Sequence, residues 1–99
     1  MIQSNELIKK TAEIIRVLGH PARIEILILL KKYNGKMTVT QIQEELKLTQ
    51  PETSRHLAVM KNGDVLQCEK EGSNAYYSIN HEPPIIHCIA ACMSKYGIK

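Results

Sequence analysis

Tryptophan and phenylalanine are missing from this sequence, and tyrosine supplies all four of its aromatic residues. The core must therefore be built from Ile, Leu, Val and Met, and an aliphatic core this small is often completed by a partner subunit. Cysteine is scarce and odd in number, at Cys68, Cys88 and Cys92. With no secretory leader in the opening MIQSNELIKK, that count argues against a disulfide framework. No apolar run approaches the roughly 18 residues of a membrane span, so a cytoplasmic protein is expected. There is no Gly-rich phosphate loop, no carboxylate pair in an apolar setting, and no Ser or Cys with an obvious base and orienter. His87 and Cys88 are neighbours, but on a helix they diverge. An enzyme is not expected.

What is present describes a single folded domain over residues 1–99. Hydrophobic residues make up 43% and charged ones 23%, a globular balance rather than a disordered one. The net charge of +3 is compatible with nucleic acid but too small to decide for it.

The chain divides into short elements. Residues 4–18 carry apolar side chains at helical spacing (Leu7, Ile8, Ile14, Ile15, Leu18), with Ser4 or Asn5 as cap and Gly19 as stop. Pro21 opens a second helix, ARIEILILLKKY, apolar nearly all round and expected to be the central buried one. Asn34-Gly35-Lys36 breaks it. Thr40-Gln41-Ile42-Gln43 has the form of a capping box, in which a Thr hydroxyl and a Gln amide satisfy each other's backbone N–H groups. The short helix it starts buries Ile42 and Leu46 and ends near Lys47. About three residues later, Thr49-Gln50-Pro51-Glu52 is a second box of the same form. Two short helices so close together, each with its own cap, are the sequence form of a helix-turn-helix. The second runs to about Asn62-Gly63. VLQCEKEG and SNAYYSIN then read as a β-hairpin around Gly72-Ser73-Asn74. Pro83-Pro84 opens a last helix that Gly97 closes. The fold class is mostly α with a small β-hairpin (α+β), in the order α-α-α-α-β-β-α.

Helical phase sorts LTQPETSRHLAVMK. Thr53, Leu57 and Met60 share an inward face; Gln50, Ser54 and Arg55 project outward, with His56 at the edge. Gln can bond adenine bidentately, Arg can do the same to guanine, and Ser adapts. Thr49, His56, Lys47 and Lys61 are placed for phosphates, and the helix N-terminus adds its positive dipole. Residues 47–61 carry three cations (Lys47, Arg55, Lys61) against Glu52, a charge of +2. A solvated surface helix is the plain alternative for the same pattern.

Three segments, LGHPARIEILILL, TQIQEELKLTQPETSRHLAVMKNGDVL and EGSNAYYSIN, resemble the ArsR/SmtB family of bacterial winged-helix repressors. The matching residues are Leu18, His20, Pro21, Arg23, Ile26 and Leu27; then Gln50, Pro51, Ser54, His56 and Leu57; then Gly72, Tyr76, Tyr77 and Ser78. The resemblance implies a winged helix-turn-helix homodimer whose first and last helices, about 4–18 and 83–96, form the interface. It implies double-stranded DNA as partner, through a pseudo-palindromic operator. Gln50, Ser54 and His56 carry over as DNA contacts; Arg55 is added from phase and chemistry, and Lys70, Ser73 and Asn74 are candidates in the wing. The chain departs from the pattern with Thr53 where an aliphatic residue is usual, and with Gly63-Asp64 where Ala-Gly is common, so its helix should end one residue early. Glu52 suits the helix dipole but repels phosphate, so it should point away from the DNA backbone or lower affinity. The alternative class is a winged-helix module that binds protein and has no inducer site.

Many relatives release DNA when a metal or metalloid binds, or when thiols oxidise. The family's third-helix Cys-x-Cys site is missing from MTVTQIQEEL, and its last-helix zinc site would find only His81 here. A thiol pair joining the second and last helices cannot form, because residues 21–33 contain no Cys. What remains is Cys88 and Cys92, i and i+4 on one helix face. Two thiolates so placed suit As(III), another soft metal or thiol redox as effector, and equally suit plain packing in an apolar stripe with Ile85, Ile89 and Tyr96. Cys68 reads as a strand residue.

Overall fold

The computed structural model describes residues 5–33 and 35–95. Ser4, Asn34, Tyr96 and Gly97, named above, lie outside them. The order is α1 (Asn5–Val17), α2 (Pro21–Tyr33), β1 (Met37–Thr38), α3 (Val39–Leu46), α4 (Gln50–Asn62), β2 (Leu66–Glu71), β3 (Asn74–Ile79) and α5 (Pro84–Lys95). The helix count and the hairpin agree with the sequence reading. The strand β1 does not: it adds a third member to the sheet, ordered β1-β3-β2, by pairing Met37 with Tyr77 and Thr38 with Tyr76. Two residues show no alternation, so only the distant partner strand reveals them.

That pairing also moves the first cap. TVTQIQ holds two overlapping Thr-x-x-Gln boxes, and the earlier one is used: Thr38, extended at φ −81° and ψ 165°, caps α3 together with Gln41. Strand pairing keeps Thr38 extended, the backbone a cap requires, so Thr40 already lies inside the helix. At Lys47 the chain takes the left-handed conformation (φ 56°), and its N–H returns to the Gln43 carbonyl. Two residues on, α4 begins on the expected Thr49–Glu52 box.

The core is aliphatic and sits beneath α4. Ile26, Leu27 and Leu30 of α2 meet Ile42 of α3, Leu57 and Met60 of α4, and Val65 and Leu66 at the start of the hairpin. The terminal helices contribute from outside, α1 through Ile14 and Val17 and α5 through Ile86 and Met93. The first keeps apolar surface in the open, with Leu7, Ile8 and Ile15 of α1 51%, 45% and 56% exposed; on α5, Ile85 and Ile89 are half-buried. No helix among the described residues is long and apolar enough to cross a membrane.

The end of α4 is set by close approach. The helix stops at Asn62, and Gly63 lies so near α1 that a Cβ there would stand 2.8 Å from Val17 Cγ2. Asp64 then takes the left-handed turn (φ 64°), a conformation Asp accepts better than most residues. Its carboxylate pairs with Lys10 of α1, and its carbonyl accepts from Asn80 Nδ2 at 3.0 Å. Gly63→Ala is expected to lower stability by about 1–3 kcal/mol through overpacking, readable as a shifted denaturant midpoint with unchanged slope. An unaffected midpoint would mean that α1 does not press on this turn.

Candidate nucleic-acid interface

The first turn of α4 is tied down at three points. Thr49 Oγ1 accepts from the Glu52 N–H at 3.3 Å, and Glu52 Oε1 accepts in return from the Thr49 N–H (3.2 Å) and hydroxyl (3.0 Å). Those bonds from Thr49, backbone first and side chain second, hold the Glu52 carboxyl below its ordinary range. The acid is thus turned back onto the helix start. Third, Thr53 is fully buried and donates its hydroxyl to the Thr49 carbonyl at 2.9 Å. That bond explains how a Thr fits an inward position that favours aliphatic side chains: its polar atom is satisfied locally.

With Thr53, Leu57 and Met60 held inward, the outer face follows. Gln50 and Arg55 are exposed and Ser54 half-buried, and Gln50 Nε2 donates to Ser54 Oγ at 2.9 Å. The pair acts as one unit, leaving the Gln50 carbonyl oxygen and the Ser54 hydroxyl proton for an outside partner. Lys47 and Lys61 are exposed at opposite ends of this face.

Two expected contacts need correction. His56 is not at the edge but inside, 4% exposed. Its Nδ1 accepts from Arg23 Nε at 3.2 Å, and its ring meets that of His20 edge-on at 4.6 Å between centroids. A buried imidazole engaged on both sides is out of reach of a phosphate. The signal was in the spacing: positions 53, 56, 57 and 60 are an i, i+3, i+4, i+7 set. Thr49 is exposed, but its hydroxyl is spent on the cap rather than open to phosphate.

In the wing, Lys70, Ser73 and Asn74 are all exposed. Gly72, at φ +65°, makes the first corner of a two-residue turn between Glu71 and its partner Asn74, the positive φ that a tight hairpin requires. Lys70 projects from one face of β2, Glu69 and Glu71 from the other. There Lys36, from the loop before β1, reaches Glu71 at 2.5 Å and Glu69 at 3.3 Å and lies over the Tyr76 ring. One cation is thereby shared by the two wing carboxylates on the side away from Lys70, offsetting only half of their charge. Neither Lys36 nor Arg23 was singled out as a site residue from sequence; Arg23 carried a signal, as a lone cation in the first turns of an apolar helix.

Cys88 and Cys92 are both exposed on α5, so within one protomer they do not pack. Cys68 is half-buried and faces Tyr77 across the strand pair, where burial and then the neighbouring thiol raise the Tyr77 hydroxyl above its ordinary range. Among the described residues no three His, Cys, Asp or Glu side chains gather in a way that would hold a metal ion.

A capped helix pair presenting a polar helix, flanked by a β-hairpin, defines a winged helix-turn-helix domain. The sequence profile described as bacterial regulatory protein, arsR family, matches residues 20–67. An uncharacterized HTH-type transcriptional regulator of Methanocaldococcus jannaschii is 42% identical over 76 residues, 76% of this chain and 84% of its own. The transcriptional repressor PagR of Bacillus anthracis is 41% identical over 70 residues, covering 71% of this chain and 69% of that one. The PagR crystal structure superposes with a TM-score of 0.79 over 90% of this chain and 99% of that chain. A homodimeric winged helix-turn-helix DNA-binding domain from Mycobacterium bovis, 25% identical, gives 0.80 over 95% and 87%. The chain belongs to the arsR family of bacterial regulatory proteins, the DNA-binding transcriptional regulators of winged-helix fold.

Proposed function

We propose that the protein is a cytoplasmic homodimeric repressor that lays one copy of α4 in each of two successive major grooves of a pseudo-palindromic operator. The observation that carries this is the outward turn Gln50–Arg55, fixed from behind by the Thr49–Glu52 box and by buried Thr53, Leu57 and Met60. Gln50, Ser54 and Arg55 read base edges, and Lys47 and Lys61 take phosphates. The wing adds Lys70, Ser73 and Asn74 on the flanking backbone. The exposed apolar face of α1 and the half-buried Ile85 and Ile89 of α5 meet their symmetry mates, as a core that stops short of covering Ile8 and Ile15 invites.

Selection of bound sequences from random duplex DNA tests this directly. Two half-sites about one helical turn apart are expected. Arg55→Ala or Gln50→Ala should relax base preference at one position for about 1–3 kcal/mol, whereas Lys61→Ala should weaken all sequences alike and flatten the salt dependence by about one unit. If no duplex is enriched while the same substitutions break a protein complex, the protein-interaction alternative holds instead.

The exposed thiols of Cys88 and Cys92 give the dimer face two soft donors on adjacent turns. As(III) or zinc would need a further ligand from the partner subunit, and oxidation would link the thiols instead. Titration of the reduced dimer with arsenite, and separately with peroxide, should lower operator affinity. If Cys88→Ser with Cys92→Ser leaves that response unchanged, or if there is no response, the pair only packs between the two copies.

A further inference from the structure

We propose that Arg23 and a neutral His56 form the positioning pair that sets α4 at its reading angle, so that protonation of His56 releases the helix and weakens DNA binding. This rests on the DNA-binding reading above and adds a residue contact and a condition to it.

One guanidinium joins three helices. From the first turn of α2, Arg23 Nε donates to His56 Nδ1 of α4 at 3.2 Å, and a terminal nitrogen donates to the Val17 carbonyl, the last residue of α1, at 3.1 Å. Arginine has no acceptor, so His56 Nδ1 must be bare. The neutral imidazole then carries its proton on Nε2. His20, packed edge-on against this ring, is itself held by the Ala22 N–H on its own Nδ1 at 3.3 Å. The ring is therefore gripped from the α1–α2 turn and from α2, at a point one turn or less from Ser54 and Arg55.

A proton on Nδ1 would set an N–H donor against a guanidinium donor in a site 4% exposed. The charged and titratable groups facing it are His20 in the α1–α2 turn, Arg23 on α2, and Arg55 and Glu52 on α4 itself. Only Glu52 would welcome the charge, and its carboxylate is tied to Thr49. Burial, then His20 and the two arginines, push His56 below the ordinary histidine range. The folded form thus binds this proton less readily than the unfolded chain. Its contribution is complete above about pH 6.5, the ordinary value, and is lost as pH falls below it toward the depressed one.

The test compares wild type with His56→Asn and His56→Leu. Asn Oδ1 can stand where Nδ1 stands and accept from Arg23, but it does not titrate; Leu removes the acceptor. Affinity of the dimer for its selected duplex is measured from pH 8 to 5.5 at fixed ionic strength, with helical circular dichroism followed in parallel. Wild type is expected to lose affinity about tenfold or more for each pH unit below the imidazole's titration. His56→Asn should bind at pH 8 within about threefold of wild type and lose that pH-dependent part; in free energy threefold is less than 1 kcal/mol. His56→Leu should bind poorly at every pH. Wild type and His56→Asn running parallel would overturn the proposal, as would tighter wild-type binding at low pH, which is what an imidazole turned out to a phosphate would give. A wild type that binds no duplex at pH 8 refutes the DNA reading. The pair is then decided on the free dimer by nitrogen NMR: a bare Nδ1 whose protonation shifts the α4 amides supports it, and a protonated Nδ1 at pH 8 overturns it.

Discussion

Leu57→Ala is expected to cost about 2–5 kcal/mol of folding stability, and with it most of the operator-binding population at elevated temperature. Leu57 is completely buried on the inner face of α4, between Thr53 and Met60 and against the α2 and α3 side chains of the core. Truncation removes three methyl(ene) groups from water-free surroundings and leaves a hole that an aliphatic core with no large aromatic can fill only in part. For a chain of this length each kcal/mol moves the thermal midpoint by about 4–8 °C, so a drop of roughly 10 °C or more should be seen at fixed protein concentration. Ala58, one residue on and exposed, is the control: Ala58→Ser should move the midpoint by less than about 0.5 kcal/mol. Equal effects at the two positions would mean that α4 does not turn its Thr53–Leu57–Met60 face inward, and the outward assignment of Gln50 and Arg55 would fall with it.

The second large effect belongs to α1. Ile14 is fully buried and Ile15, its neighbour about 100° further round the helix, is 56% exposed, so the two point to different sides of α1. Ile15→Glu should leave the protomer folded, since that face touches little of its own chain, and should abolish the dimer by placing a like charge on both sides of a two-fold contact. Operator affinity should then fall by about 10²–10⁴-fold, the part of binding that comes from presenting two reading helices at once. Sedimentation equilibrium and a binding isotherm on the same sample check it. A variant that stays dimeric with unchanged affinity would place the interface elsewhere than on α1.

How far these features could be read from residues alone depends on how local they are. The Thr49–Glu52 box, the inward set Thr53, Leu57 and Met60, and the glycine corner of the hairpin are each written within a few positions, and each stands where the spacing put it. The features that were missed are made by contacts across the chain. β1 exists because Met37 and Thr38 lie beside Tyr77 and Tyr76, about forty residues away, and that pairing decides which of two overlapping Thr-x-x-Gln boxes is used. Lys36 reads as an ordinary surface cation until its partners on β2 are in place, and Arg23, though part of the recognisable motif, shows what it holds only once α4 is packed against it. His56 is different. Its inward position was legible in phase, and its polarity drew the assignment toward solvent although a partner could satisfy it inside.

Thr38 has a double membership: it is a rung of the sheet and the first capping residue of α3. No slack lies between the wing and the helix-turn-helix at that point. A push on the hairpin tip would pass along β3 to Thr38, and so to the start of α3. The molecule should therefore grip DNA as a stiff two-pronged tool, with hydrogen exchange slowing at residues 38–41 and at the hairpin together when the duplex arrives.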